Sequence, residues 1–183
     1  MFLRCFFPYE YVDSVFSLDY EKLYRLGYRG LLLDIDNTLV LHGADSNPAV
    51  DELFRQIHQT GLKTLLLSNN SEERILRFLA HIDSPYLAEA GKPAPAGYLR
   101  ALEILGLPKE QVLVIGDQIF TDVYGANRCG VASILVRFLR RDGERKIGKR
   151  RWAEKLLLQL YRLDRASRHR LGCIIKEGDA PHA

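Results

Sequence analysis

Asp34 and Asp36 stand one residue apart in Asp34-Ile35-Asp36-Asn37-Thr38-Leu39-Val40, directly after the apolar run Gly30-Leu31-Leu32-Leu33. Such a run has the character of a buried strand. Two carboxylates at its C-terminal end can share metal binding, nucleophilic attack and proton transfer. Three more polar groups are placed like this pair. Ser68-Asn69-Asn70 follows Leu65-Leu66-Leu67, and Lys92 lies in Gly91-Lys92-Pro93 ahead of a helical pattern. Gly116-Asp117-Gln118-Ile119-Phe120-Thr121-Asp122 follows Val112-Leu113-Val114-Ile115. A phosphate among these groups would meet the charge of Lys92, the Ser68 hydroxyl and main-chain N–H groups near Ile35, Asp36 and Asn69. Mg2+ favours a few hard oxygens and keeps its waters; Asp34, the Asp36 carbonyl and Asp117 would supply them. Metal and lysine together would offset the repulsion between an attacking carboxylate and a phosphate.

These groups can meet only if the strands run parallel and in one sheet. The pattern is strand, helix, strand, helix, which implies parallel strands joined by right-handed crossovers. Ser17 is placed to cap a short helix ending near Gly27, and Leu31–Asp34 is the first core strand. Asn47-Pro48 starts a helix that Gly61 follows, with Val50, Leu53, Phe54 and Ile57 on one face. Leu62–Leu67 is a strand. Asn70 then caps a helix, with Glu73 in the capping-box position and Ile75, Leu76, Leu79 and Ile82 facing inward. A short strand near Tyr86–Ala88, a helix over Pro95–Gly106, a strand over Val112–Ile115, a helix over Thr121–Cys129 and a last strand over Ala132–Val136 complete the series. In such a sheet the four polar loops open on the same edge.

The four groups, in order from Asp34 to Asp122, resemble the motifs of the haloacid dehalogenase (HAD) superfamily. The resemblance implies an α/β, Rossmannoid three-layer sandwich with a central parallel sheet. It makes Asp34 the nucleophile that forms an aspartyl-phosphate, and Asp36 the general acid, then base. Ser68, Asn69 and Lys92 bind the phosphoryl group; Asp34, Asp36 and Asp117 hold Mg2+; Asp122 supports a metal-bound water or orients Lys92. An acid at position 36 implies phosphate-monoester hydrolysis, since members that cleave carbon–halogen bonds lack one there. Thr38–Leu67 and Asn70–Ala90 leave no room for an inserted cap, so the site is expected to be capless and open to a bulky substrate. Pro8-x-x-Tyr11-Val12-Asp13-Ser14-Val15-Phe16, the lead-in from Asp19 to Gly30 and Gly125-Ala126-Asn127-Arg128 resemble the YqeG-type branch (subfamily IIIA). Related plastid and mitochondrial members act on phosphatidylglycerophosphate, which implies a phosphorylated lipid headgroup as substrate.

The 183 residues divide in composition after Val136. Residues 1–136, with a lead-in over 1–29, carry the motifs, and residues 137–183 read as a basic helical extension. Arg137 to Arg170 holds 13 Lys/Arg against 4 Asp/Glu, a net of +9 in a chain whose total is +3. An anionic membrane surface is one partner for that segment, and a solvated helix face is the plain alternative. Ile147, Trp152, Leu156, Leu160 and Leu163 can share a helix face ringed by Arg and Lys, as an interfacial helix requires, or they can pack on the domain. There is no apolar run of about 18 residues, so no transmembrane helix is expected. Cys5, Cys129 and Cys173 are widely spaced and suggest neither a disulfide framework nor a zinc site. The expected compartment is therefore the cytoplasm, with peripheral contact to a membrane. Two other functions fit parts of the sequence: a capless phosphatase for another large phosphoester (a phosphoprotein or a nucleic-acid end, the nucleic acid being less expected) and a non-catalytic binding module on the same scaffold.

Overall fold

The computed structural model describes residues 2–140 and 148–176. Six strands form one parallel sheet: β1 (Glu10–Val12), β2 (Gly30–Leu33), β3 (Lys63–Leu67), β4 (Tyr86–Leu87), β5 (Val112–Gly116) and β6 (Ala132–Val136), in the order β1-β6-β5-β2-β3-β4. The helices are α1 (Tyr20–Arg25), α2 (Pro48–Gln59), α3 (Glu72–Phe78), α4 (Pro95–Leu105), α5 (Tyr124–Cys129) and α6 (Lys149–Leu163). Successive strand side chains point to opposite faces, so Leu31 and Leu33 join one core while Leu32 joins the other. The first core contains the inner faces of α2 and α3; the second contains those of α4 and α5. These are the outer layers of the expected three-layer sandwich. Each fully buried leucine of β2 contributes about 1.5–3 kcal/mol, which fixes the strand that carries the acid pair.

The chain runs from β2 outward through β3 to β4, then crosses to β5 on the other side of β2. The crevice beyond β2 and β5 is thus a switch point, where an open sheet leaves room for a ligand. Leu33 pairs with both Leu66 and Ile115. Asp34, Ser68 and Asp117 therefore emerge side by side at one edge. Only α2 and β3 stand between Asp36 and Ser68, and only α3, a 3-10 turn and β4 between Asn70 and Lys92. Neither interval contains a cap.

Several local expectations need correction. Ser17 caps nothing: Ser14 caps a 3-10 turn over Val15–Ser17, and Asp19 accepts from the Lys22 N–H to cap α1. Asn70 does not cap α3; Ser71 does, and Asn70 is drawn to Asp36. Leu76 is exposed, and Phe78 takes the expected inward place beside Ile75, because α3 ends after Phe78 and tightens into a 3-10 turn. The helix expected over Thr121–Cys129 begins as a wide turn over Ile119–Val123. β1 had no strong sequence signal and is held as an edge strand by β6.

The extension folds back on the domain. Arg4 pairs with Asp164 at 2.9 Å, and the buried Glu10 carboxylate accepts from the Leu171 N–H at 3.0 Å. Tyr161, Leu157 and Leu158 turn inward from α6, whereas Trp152, Leu156, Leu160 and Leu163 face out, Trp152 at 68% and Leu163 at 78% exposure. Ile147 lies outside the described residues. Among the described residues no helix is long and apolar enough to cross a membrane.

Candidate active site

The turn after β2 is shaped by Asn37, whose φ of 62° is tolerated by Asn better than by most residues. Its side chain accepts from the His42 N–H, and its own N–H donates to the Val40 carbonyl. Asp34 and Asp36 are thereby sent in different directions.

Asp34 is 8% exposed. Its Oδ1 accepts from Lys92 Nζ at 2.5 Å, and its Oδ2 faces the Thr38 hydroxyl at 3.3 Å. Lys92 also donates to Asp122 Oδ1 at 2.7 Å, so one ammonium bridges two buried carboxylates. Thr38 stands 3.3 Å from Asp117 Oδ1 as well, between the first and fourth loops. Carboxylate oxygens of Asp34, Asp117 and Asp122 lie within 4.8 Å of one another. Gly116 is required here: a Cβ at that position would lie 2.3 Å from Asp122 Cγ.

Burial pushes the Asp34 carboxyl up to about 6, with the Lys92 charge opposing and the Asp122 charge adding to the rise. Burial likewise pushes Asp117 up to about 7; the Arg151 guanidinium opposes, and Asp122 and Asp34 add to the rise. Burial disfavours the Lys92 charge, but Asp122 and Asp34 outweigh it and hold the ammonium above the ordinary lysine value. Crowded acids with raised proton affinity and hard oxygen donors fit a divalent cation such as Mg2+. Asp36 does not belong to this cluster through its side chain; only its carbonyl is left for the role expected of it.

Instead, the Asp36 carboxylate accepts from Asn70 Nδ2 at 2.8 Å, the Gly43 N–H at 3.1 Å and Arg74 at 3.2 Å, with His42 Nδ1 3.2 Å away. Burial raises its proton affinity, but the bonds from Asn70 and Gly43 and the charges of Arg74 and His42 outweigh this and hold it below the ordinary carboxylate value. The Asn69 side chain has a separate task. Its side chain donates to the Lys92 carbonyl at 3.0 Å and accepts from the Lys92 N–H at 2.7 Å, clamping the backbone under the lysine. Ser68 is buried, and its hydroxyl oxygen accepts from the Asn70 N–H while its proton stays available to a ligand. Among the described residues, no main-chain acceptor takes the N–H of Ile35, Asp36 or Asn69.

The sequence left Thr38, Arg74 and Arg151 without roles in the site, and gave Asn70 only a helix cap. Thr38 and Asn70 lie inside the first two motifs and could have been flagged. Arg151 could not: it reaches Asp117 from 34 residues away, pairing with its Oδ2 and donating to its carbonyl at 2.7 Å. Glu154, one turn along α6, accepts from the Ile119 N–H at 2.9 Å and from Arg151 at 2.9 Å. The fourth loop is therefore fastened to the basic helix.

Known proteins resemble this chain in sequence and in fold. A profile for haloacid dehalogenase-like hydrolases matches residues 46–130, a span that holds the second to fourth motifs. The probable phosphatase YqeG of Bacillus subtilis is 37% identical over 137 residues, which cover 74% of this chain and 80% of that protein. The chloroplastic phosphatidylglycerophosphate phosphatase 1 of Chlamydomonas reinhardtii is 26% identical over 147 residues, 75% of this chain and 55% of its own length. The crystal structure of an uncharacterized protein from Listeria monocytogenes serotype 4b has the same fold, with a TM-score of 0.53 and 19% identity, covering 73% of this chain and 99% of that one.

Proposed function

We propose that this chain, which belongs to the haloacid dehalogenase-like hydrolases and is a phosphatase, cleaves phosphatidylglycerophosphate through a phosphoryl group carried on Asp34. The observation that carries the chemistry is the buried Asp34 carboxylate, held at one oxygen by Lys92 and set beside Asp117 and Ser68. Lys92, the Ser68 hydroxyl and the N–H groups of Ile35, Asp36 and Asn69 receive the phosphoryl oxygens. Asp34 attacks phosphorus, the bond to the leaving oxygen breaks, and Asp36 gives that oxygen a proton. Water then attacks phosphorus, Asp36 takes a proton from it, and the bond to Asp34 breaks. Mg2+ held by Asp34, Asp117 and the Asp36 carbonyl would neutralise phosphoryl charge.

Asp36 as arranged suits the second half of this cycle, because Arg74 and His42 favour its anion. To protonate the leaving group it must first bind a proton against the charge of Arg74. Replacing Arg74 by Gln removes that charge and raises the Asp36 pKa. The basic limb of the pH–rate profile should then move to higher pH for an alkyl phosphate. For p-nitrophenyl phosphate, whose leaving group needs no proton, the limb should stay in place. Equal shifts for both substrates would count against Asp36 as the acid.

The lipid substrate is supported by the likeness to the Chlamydomonas enzyme, by the capless site and by the outer face of α6. Trp152, Leu156, Leu160 and Leu163 are exposed there beside Lys149, Arg150, Lys155 and Arg162, the chemistry of a helix that meets an anionic lipid surface. The test is phosphate release from phosphatidylglycerophosphate in mixed micelles with Mg2+. We expect kcat/KM for the lipid to exceed that for p-nitrophenyl phosphate by about ten-fold or more, the gain expected from about 1.4 kcal/mol of added transition-state binding. Turnover of the small ester with none of the lipid would remove the lipid assignment and leave the phosphatase standing.

A further inference from the structure

A cleft of about 340 Å³ lies between α6 and the loop that leaves β6. It shares Asp117 and Arg151 with the active site, but neither Asp34, Ser68 nor Lys92 lines it. The transferred phosphoryl group belongs to those three residues, so the cleft is free for another part of the substrate. The loop on one side is also tied to the catalytic turn, because the Leu139 N–H donates to the Asn37 carbonyl at 2.9 Å.

The lining has two characters. Tyr11, Leu135, Phe138 and Leu158 make apolar wall. Around it stand five cations, Arg137, Arg140, Arg151, Lys155 and Arg162, against two carboxylates, Asp117 and Glu154. Arg151 is matched by both of those carboxylates, and Arg137 by Asp13 at 2.6 Å. Among the described residues, Arg140, Lys155 and Arg162 have no carboxylate partner. Arg140 lies over the Phe138 ring, 4.4 Å from its centroid, and the paired Arg151 lies 4.5 Å from the same centroid. Like charges gathered without counter-charge repel one another, and a bound anion relieves this.

The helix places the rest. At 3.6 residues per turn, Lys155 and Arg162 fall between the inward-facing Tyr161 and Leu158 and the exposed row of Trp152, Leu156, Leu160 and Leu163. Going round α6, the order is packed face, cleft cations, exposed apolar row. An amphiphile with its charge in the cleft could lay its apolar part along that row.

We propose that this cleft is a subsite for a second anionic group on the leaving-group side of the substrate. The matching class is a phosphate monoester whose alcohol also bears a phosphodiester and acyl chains. Lys155 and Arg162 hold the diester, and Phe138 and Leu158 meet the apolar part next to it. The inference rests on the lipid-phosphatase reading and adds how this chain would tell such a substrate from a small ester.

The test is binding of dihexanoylphosphatidylglycerol below its micelle concentration, followed by calorimetry and by fluorescence of Trp152, the one tryptophan in the chain. This probe has the diester and the chains but no monoester. Dihexanoylphosphatidylcholine is the comparison, with the same chains and no net charge. The wild type should bind the glycerol lipid at least about ten-fold more tightly, and the Lys155→Gln/Arg162→Gln double variant should lose about that factor. Both side chains are exposed, so the melting temperature serves as the check on folding. Equal affinity for the two lipids, or undiminished binding by the double variant, would overturn the subsite. The two proposals fail separately. Hydrolysis of phosphatidylglycerophosphate without probe binding overturns the subsite alone. Probe binding that the variant loses, with no lipid hydrolysis, upholds the subsite and overturns the lipid substrate.

Discussion

Asp34→Asn should lower phosphatase kcat by about 10⁴-fold or more, the scale of loss when a covalent nucleophile is removed. An amide is neutral, and its oxygen is a poor nucleophile toward phosphorus. It would still fill the space above Lys92 and accept its hydrogen bond. Activity and stability should therefore part company in this variant. In the wild type the Asp34 carboxyl is pushed up to about 6 by burial, so the folded state holds a proton that the unfolded chain releases near pH 3.9. Stability then declines as pH rises from about 4 through 6. The asparagine variant lacks this contribution, and its stability curve should be flatter over that window. Phosphate release together with urea melts at pH 4.5 and 7.5 checks both halves. A variant that kept substantial turnover would remove Asp34 from the reaction.

Lys92→Met has the next largest effect, and it falls on stability as well as rate. The lysine is the shared partner of two buried carboxylates, at 2.5 Å from Asp34 and 2.7 Å from Asp122. Taking one partner from a buried ion pair costs about 3–5 kcal/mol, because the remaining charge is stranded. The raised Lys92 pKa means its stabilisation is complete below the unfolded lysine value of about 10.4, provided the acids are ionised. Asp34 ionises through about 6. The loss in the methionine variant should accordingly be largest near pH 8 and shrink toward pH 4.5, where protonation of Asp34 removes one of the stranded charges. Catalysis should fall by about 10²–10³-fold at any pH where the variant stays folded, as on removing one preorganised charge from a transition state. Urea melts at the two pH values without divalent cations test the sign. A loss that grew toward acid pH would contradict the bridge.

The sequence was most legible where one kind of physics dominated. Leu65-Leu66-Leu67 and Val112-Leu113-Val114-Ile115 are buried strands because their side chains have no other use, and the polar residue after each run had to lie at the sheet edge. Asn47-Pro48 marked the start of α2 for a local reason, the capping of free N–H groups, and the structure agrees. Legibility failed where a side chain had two possible partners. Asn70 could cap α3 or bind Asp36; tertiary contact won, and Ser71 took the cap. It failed again for contacts across long chain separations. Nothing near Arg151 signals Asp117, and only the packing of α6 onto the fourth loop joins them. Glu10–Val12 is a strand only because β6 supplies its partner.

Acid quench during steady turnover, followed by mass spectrometry of the protein, measures the central claim directly. The Asp36→Asn variant turning over p-nitrophenyl phosphate is the one to use: that leaving group needs no acid, so the loss of Asp36 slows only the second half of the cycle and the intermediate accumulates. The account predicts a hydroxylamine-labile phosphoryl group on Asp34 and on no other residue. Continued phosphate release with no adduct, or an adduct at another side chain, would contradict it.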